Sequence, residues 1–304
     1  MTTITPCAHS ASPHVDPLKV LEGFECDGVI NTPDEGLAAN VAHSITLGFP
    51  QIRPRAEQKD RVCLVGGGPS LEDTFDELRA LYFEGAKVVT VNGAYHWCLA
   101  RNIRPSAQIV LDARPENARF VDPAVPQCRY FLASQCAPET WARVEGRSQV
   151  WIWHAAAYDN ESLKPILDAY YGGNWMPTPG GTTVVMRALS VLRMMGFLRF
   201  DLFGVDSCFV GGKHHAYPQA ENEKDKAFDV TLSSPGHPEL TRAFRCAPWH
   251  MKQLECFLQT IRINGHTFLL NVHGDGLLAY ALKLGAATVE WDAAATDGER
   301  SRGE

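Results

Sequence analysis

The chain has no paired cysteine motif. Its nine cysteines, at positions 7, 26, 63, 98, 128, 136, 208, 246 and 256, are odd in number and include no Cys-x-x-Cys. That spacing excludes a zinc knuckle and a thioredoxin-type redox pair. Cys63, Cys98 and Cys208 fall in apolar runs, where a free thiol packs as a small hydrophobe. Scattered cysteines of this kind point to a reducing compartment, so a cytoplasmic location is expected. Long hydrophobic runs are missing too. No window approaches about 18 uncharged apolar residues, and no transmembrane helix is expected. Residues 1–20 are polar, hold three prolines and lack the basic start and apolar stretch of a signal peptide. Positive charge is in deficit: 28 Lys and Arg against 35 Asp and Glu give a net charge of −7. That argues against broad binding to nucleic acid or an acidic membrane, while leaving room for a local basic pocket. No internal repeat is visible.

What is present is ordinary globular material, 304 residues with 45% hydrophobic and 21% charged content. This suffices for one large α/β domain or two smaller ones. The most informative stretch is Val62-Cys63-Leu64-Val65-Gly66-Gly67-Gly68-Pro69-Ser70-Leu71. A β-branched run feeds three glycines, then Pro-Ser, then a helical pattern over 72–82. Glycines admit a ligand close to the backbone, and the first N–H groups of a helix attract an anion, most often phosphate. Ser70 suits an N-cap, with Asp73 imitating a capping box. The same residues also suit a plain βα turn.

From Arg61 the pattern is regular. Strands are expected over 62–65, 87–91, 107–111, 129–133, 149–153, 200–203 and 268–272. Helices are expected over 71–82, 94–101, 138–144, 163–170, 182–195, 249–262 and 275–284, with a short one over 40–47. Alternation of this kind implies an α/β fold with a mostly parallel sheet and helices on both faces. The clearest helix carries Val184, Val185, Ala188, Leu189, Leu192 and Met195 as an apolar stripe, and Gly196 ends it. Residues 1–60 read as an N-terminal extension and 61–209 as the main domain. Residues 210–245 read as a long polar loop or lid. Residues 246–292 complete the same domain, and 293–304 form a tail.

In an open parallel sheet, ligands bind beyond the carboxyl ends of the strands. Five polar strand ends are candidates: 66–70, Asn92-Gly93, Asp112, Gly204-Val205-Asp206-Ser207 and Asn271-Val272-His273-Gly274-Asp275. Each also has a plain reading as a turn or a cap. Pro179-Gly180-Gly181-Thr182-Thr183 is a second glycine-rich helix entry. Lys213-His214-His215-Ala216-Tyr217 supplies histidines able to move a proton or steady a phosphate. Adjacent histidines without carboxylate or cysteine partners chelate poorly, so no metal site is assigned to them.

Gly66-Gly67-Gly68-Pro69-Ser70-Leu71, Val91-Asn92-Gly93 and Arg104-Pro105-x-x-Gln108-Ile109-Val110-Leu111-Asp112 together resemble the MptE-like family. Gly180-Gly181-Thr182-Thr183, Gly204-Val205-Asp206 and His215-Ala216-Tyr217 extend the resemblance over residues 60–220. That family groups archaeal 6-hydroxymethylpterin diphosphokinases with flagellin-modifying motility accessory factors. The layout is also similar to bacterial sialyltransferases that use a CMP-sugar.

The resemblance implies a Rossmann-like domain binding a phosphorylated nucleotide donor. It implies that Gly66, Gly67, Gly68, Pro69 and Ser70 cradle phosphate and that Asn92 meets donor or ribose. Asp112 would bind a ribose hydroxyl or a metal-bound phosphate. Gly180, Gly181, Thr182 and Thr183 would hold the donor from the opposite side, with Asp206 also lining the donor site. The diphosphokinases carry Asp-x-Asp after the third strand for Mg²⁺-ATP. Here the segment reads Asp112-Ala113-Arg114, so the second acid is missing. An arginine in that place suits metal-independent glycosyl transfer.

The expected activity is therefore glycosyl transfer from a nucleotide-sugar, a CMP-type donor being preferred. The acceptor would be a glycan, a protein or a pterin-like compound. His215 or His273 would act as base, with Arg114 and Tyr217 stabilising the departing phosphate. One alternative is a diphosphokinase using ATP and Mg²⁺, with Asp112 on the metal. Another is a noncatalytic, phage-associated nucleotide- or glycan-binding protein.

Overall fold

The structure, a computed structural model, describes residues 2–4, 32–147, 149–156, 160–181, 183–219, 226–234, 237–265, 267–284 and 288–291. In chain order the elements are β1 (Thr2–Ile4), α1 (Asp34–Ile45), β2 (Gln58–Val65), α2 (Phe75–Phe83), β3 (Lys87–Val91), α3 (Ala94–Ala100), β4 (Ala107–Val110), β5 (Arg129–Ala133), α4 (Pro138–Ala142), β6 (Val150–Trp153), α5 (Lys164–Tyr171), α6 (Val184–Met194), β7 (Phe197–Phe203), β8 (Phe228–Ser234), β9 (His237–Cys246), α7 (Pro248–Asn264), β10 (Leu269–Val272), α8 (Leu277–Leu284) and β11 (Thr288–Trp291). Short 3-10 turns cover Pro69–Leu71 and Pro115–Val121.

The main sheet has the order β1-β10-β7-β2-β3-β4-β5-β6. Seven of its strands run parallel, and β1 alone pairs antiparallel, on β10. This is a Rossmann-like α/β architecture. The last four residues of β2, β3, β5 and β7 are all buried, as strands covered on both faces require.

The chain leaves β2 toward β3, β4, β5 and β6, then returns through α6 to lay β7 on the other side of β2. The strand order therefore reverses at β2/β7, where an open α/β sheet forms its ligand crevice. Register sets Val65 of β2 beside Thr90 of β3 and Phe203 of β7, so the three following turns emerge side by side. The helix over α6 forms as its stripe dictates, with Val185, Ala188, Leu189 and Leu192 buried. Gly196 follows at φ +90°, and a Cβ there would strike the Ala56 carbonyl. Only glycine fits both demands. Cys63, Cys98 and Cys208 are buried, as their apolar context predicts.

The expected loop over 210–245 is corrected in part. Its second half is β8 and β9, which with β11 form a separate three-stranded sheet of order β11-β8-β9. Phe228, Val230 and Leu232 alternate inward and pack into the main core with Phe244. The period-2 pattern is short and borders a charged run, which hid it. The short helix expected over 40–47 is longer and begins at Asp34. Thr182 and the tail over 293–304 lie outside the described residues, as does most of the extension before residue 32.

Candidate active site at the strand crossover

The turn after β2 is bonded to the turn after β7. Gly66 N–H donates to the Phe203 carbonyl at 2.8 Å, and Gly68 N–H donates to the Gly204 carbonyl at 2.7 Å. Ser70 N–H donates to Asp206 Oδ2 at 3.0 Å. Asp206 is 3% exposed, and burial pushes its pKa up. A Cβ on Gly68 would strike its carboxylate, and one on Gly276 would lie 2.6 Å from its Cα. One expectation changes here. Ser70 does not cap a helix with its own side chain; a carboxylate from the turn after the neighbouring strand, β7, accepts from its amide instead. The Cβ side of each of the three glycines is filled by protein.

A loop roofs this turn. Ala216 N–H donates to the Gly67 carbonyl at 2.9 Å. A Cβ on Gly67 would lie 2.5 Å from His215 Cδ2 and 2.5 Å from Tyr217 Oη. One on Gly93 would lie 2.6 Å from Tyr217 Cε2, so Tyr217 spans the ends of β2 and β3. The His215 ring lies 4.5 Å from that of His214 and 5.5 Å from that of Tyr217. His214 in turn meets Phe209 and Trp249. His250, under this layer, accepts the Ala247 N–H on Nδ1 at 2.9 Å. Burial first, then His214 and His215, lower its pKa to about 3, so it is neutral.

Two non-glycine residues at these strand ends hold left-handed backbone, Asn92 at φ 45° and Ser207 at φ 52°. Asn92 Oδ1 and Ser207 Oγ are buried without a hydrogen-bond partner. Strain together with an orphaned oxygen at a sheet's carboxyl edge is the usual mark of a site held for a ligand.

The remaining candidates lie around this centre. Asp112, after β4, is gripped by Arg114: Nε donates to Oδ1 at 3.0 Å and Nη2 to Oδ2 at 2.7 Å. Burial opposes ionisation of Asp112, but Arg114 outweighs it and the pKa falls below the ordinary value. Gly180 and Gly181 cross the first turns of α6, at φ 139° and 75°. Val185, at the start of that helix, would be 3.3 Å from a Cβ on Gly66. Arg187, which the sequence reading passed over, donates from Nε to the Gly181 carbonyl at 2.8 Å and also bonds the Thr178 carbonyl.

His273 is not brought to the roof loop. Its Nδ1 meets Glu77 Oε2 at 2.5 Å, its Nε2 meets Asp201 Oδ1 at 2.9 Å, and its ring stacks on Phe203. Both nitrogens face carboxylates, so neither is open to a substrate proton. Asp201 is opposed by burial, yet bonds from His273, Arg61 and Asn271 hold its pKa far below the usual range. A carboxylate inside the apolar strand β7 was the signal for this network.

The comparisons bear on this geometry. A family model described as 6-hydroxymethylpterin diphosphokinase MptE-like matches residues 37–212. The chain belongs to the MptE-like family. The MAf glycosyltransferase from Magnetospirillum magneticum AMB-1 superposes with a TM-score of 0.60 at 14% identity, over 91% of this chain and 45% of that one. The MptE-like chain thus spans less than half of that glycosyltransferase, and the likeness is one of fold. A mammalian sialyltransferase aligns at a TM-score of 0.40 and 11% identity, over 84% of this chain and 83% of that one, too low to argue from. No curated protein sequence matches.

The MptE-like name brings Mg²⁺ into question, and the donor set does not fit it. Asp112 stands without a second acid, and both its oxygens face Arg114. Among the described residues, no group of three or more His, Cys, Asp and Glu side chains is placed to hold a metal ion. Among the same residues, no helix is long and apolar enough to cross a membrane.

Proposed function

We propose that this MptE-like chain is a nucleotide-donor-dependent transferase that moves a sugar from a CMP-type donor to a hydroxyl-bearing acceptor. The observation that carries the reading is the Asp112–Arg114 fork. The carboxylate that would carry a metal-bound phosphate is already neutralised by a protein cation. Charge on a departing phosphate must then be met by donors of the protein itself.

In this reading the donor lies along the carboxyl edge from Asn92 to the loop over α6. The acceptor oxygen attacks the anomeric carbon as the bond to the donor phosphate breaks and its electrons pass to phosphate. His215, of the two expected bases, takes the acceptor proton, since both ring nitrogens of His273 meet carboxylates. The Tyr217 O–H donates a hydrogen bond to the leaving oxygen. Diphosphate transfer from ATP is the second reading, supported by the description of the family model.

Product analysis separates the two. Release of CMP from a CMP-sugar in the presence of EDTA supports glycosyl transfer. Formation of AMP from ATP, strictly dependent on Mg²⁺, reverses the assignment.

A further inference from the structure

We propose that Arg187 supplies the oxyanion subsite of this crevice, so the donor's phosphate sits on the α6 side rather than at the 66–70 turn. The inference rests on the nucleotide-donor reading and assigns one part of the ligand to one part of the site.

The first observation is negative charge at the turn. Asp206 already accepts the Ser70 N–H, with Asp73 and Asp275 near enough to act on it. A phosphate brought to the same amide would meet a carboxylate. Together with Asn92 Oδ1, this end offers acceptors, which suits the hydroxyl or amino groups of a nucleoside.

The second observation is an uncompensated cation. Arg61, Arg101, Arg114, Arg143, Arg242 and Arg245 each meet a carboxylate. Arg187 is half-buried, and among the described residues its bonds go only to the neutral carbonyls of Gly181 and Thr178. Burial lowers its pKa, the sign of a charge that lacks its counterpart. Its Nη2 makes neither of those bonds.

The third observation is unmet polarity beside it. Thr178 is 1% exposed, and its Oγ1 has no hydrogen-bond partner; Thr183 Oγ1 is likewise buried and unpartnered. The loop is also held close, since a Cβ on Gly180 would lie 3.1 Å from Arg187 Cα. A guanidinium and hydroxyls around a fixed glycine loop match a phosphate in charge and in hydrogen bonding. Val185 touches the turn after β2, so the start of α6 borders the crevice. Arg187 leaves another face of the helix, but its guanidinium folds back onto the Gly181 and Thr178 carbonyls of the loop that enters this helix start.

The test compares CMP with cytidine by calorimetry. Wild type should prefer CMP by about tenfold, the worth of one charge-assisted hydrogen bond. Arg187→Gln should bind both alike, and Arg187→Lys should retain part of the preference. A purely structural arginine would weaken both ligands equally, so an unchanged ratio in Arg187→Gln overturns the proposal.

Should that variant fail to fold, the Arg187 Nε–H resonance of wild type decides. It should move with CMP and with inorganic phosphate but not with cytidine. If CMP moves the Asn92 amide and leaves Arg187 still, the subsite is wrong and the donor reading stands. If no nucleotide binds, the donor reading falls. Inorganic phosphate alone then supports the subsite by moving Arg187, or overturns it by leaving it unmoved.

Discussion

The Asp206 carboxylate accepts the Ser70 amide at 3.0 Å, across 136 residues of chain. This one bond ties the turn after β2 to the turn after β7, at the place where the strand order reverses. Gly274 and Gly276 close on the same pair from the β10 side. The crevice is therefore framed by backbone that packs on backbone, with a buried acid at its centre.

Asp206 separates shape from charge. Asp206→Asn keeps an oxygen for Ser70 and removes a charge that burial disfavours. Its stability near pH 7.5 should match or exceed wild type. Asp206→Ala leaves the amide unpaired and a void beside Gly68, which should cost about 2 kcal/mol. Urea unfolding of both variants gives the comparison. Equal losses in the two would show that the carboxylate charge itself is needed.

Tyr217 and Gly93 should be energetically coupled. Gly93 has an ordinary helical φ of −64°, so backbone does not bar alanine there, and the nearest obstacle is Tyr217. Gly93→Ala should cost about 1–3 kcal/mol by overpacking. In Tyr217→Ala the same change should cost much less. A double-mutant cycle by thermal unfolding measures this, and strict additivity would place Tyr217 elsewhere.

His154 should make the fold acid-sensitive. It is 1% exposed, and burial first, then Arg53, lowers its pKa to about 4. The unfolded chain takes up this proton near pH 6.5, whereas the folded chain refuses it until about pH 4. Stability is thus unaffected above pH 6.5 and is lost progressively on acidification between the two values, by about 3 kcal/mol in all. His250 acts in the same direction. His154→Phe should flatten the slope of urea stability between pH 7 and pH 4.5, and an unchanged slope would assign it to other groups.

The two candidate bases should behave differently. His215→Ala should lower turnover far more than donor affinity, because a base acts in the transition state. His273→Asn should lower stability first, since it breaks the buried bond to Asp201 and the link from there to the exposed Glu77. Initial rates and donor titrations on folded variants distinguish them. Full activity in His215→Ala would remove it from the mechanism.

Much of the fold was legible because the parallel core announces itself. Apolar runs such as Val62 to Val65 and the stripe of α6 carry their period locally. The three-stranded sheet was not legible. In β9 the buried apolar residues, Phe244 and Cys246, lie near its end, and Pro238 is its second residue. Strand ends could be collected as a site by rule, yet their internal contacts could not. The Asp206–Ser70 bond, the Tyr217–Gly93 contact and the His273–Asp201–Arg61 network join residues far apart in sequence. Arg114 was visible two residues from Asp112, but its ion pair with that carboxylate was not.

The central claim is a nucleotide donor held without a divalent cation. Calorimetric titration of wild type with CMP-, UDP- and GDP-sugars and with ATP, each in EDTA and in Mg²⁺, tests it most directly. The account predicts that a CMP-type sugar nucleotide binds equally well in both buffers, and more tightly than ATP. Binding of ATP alone, lost when Mg²⁺ is removed, would contradict it.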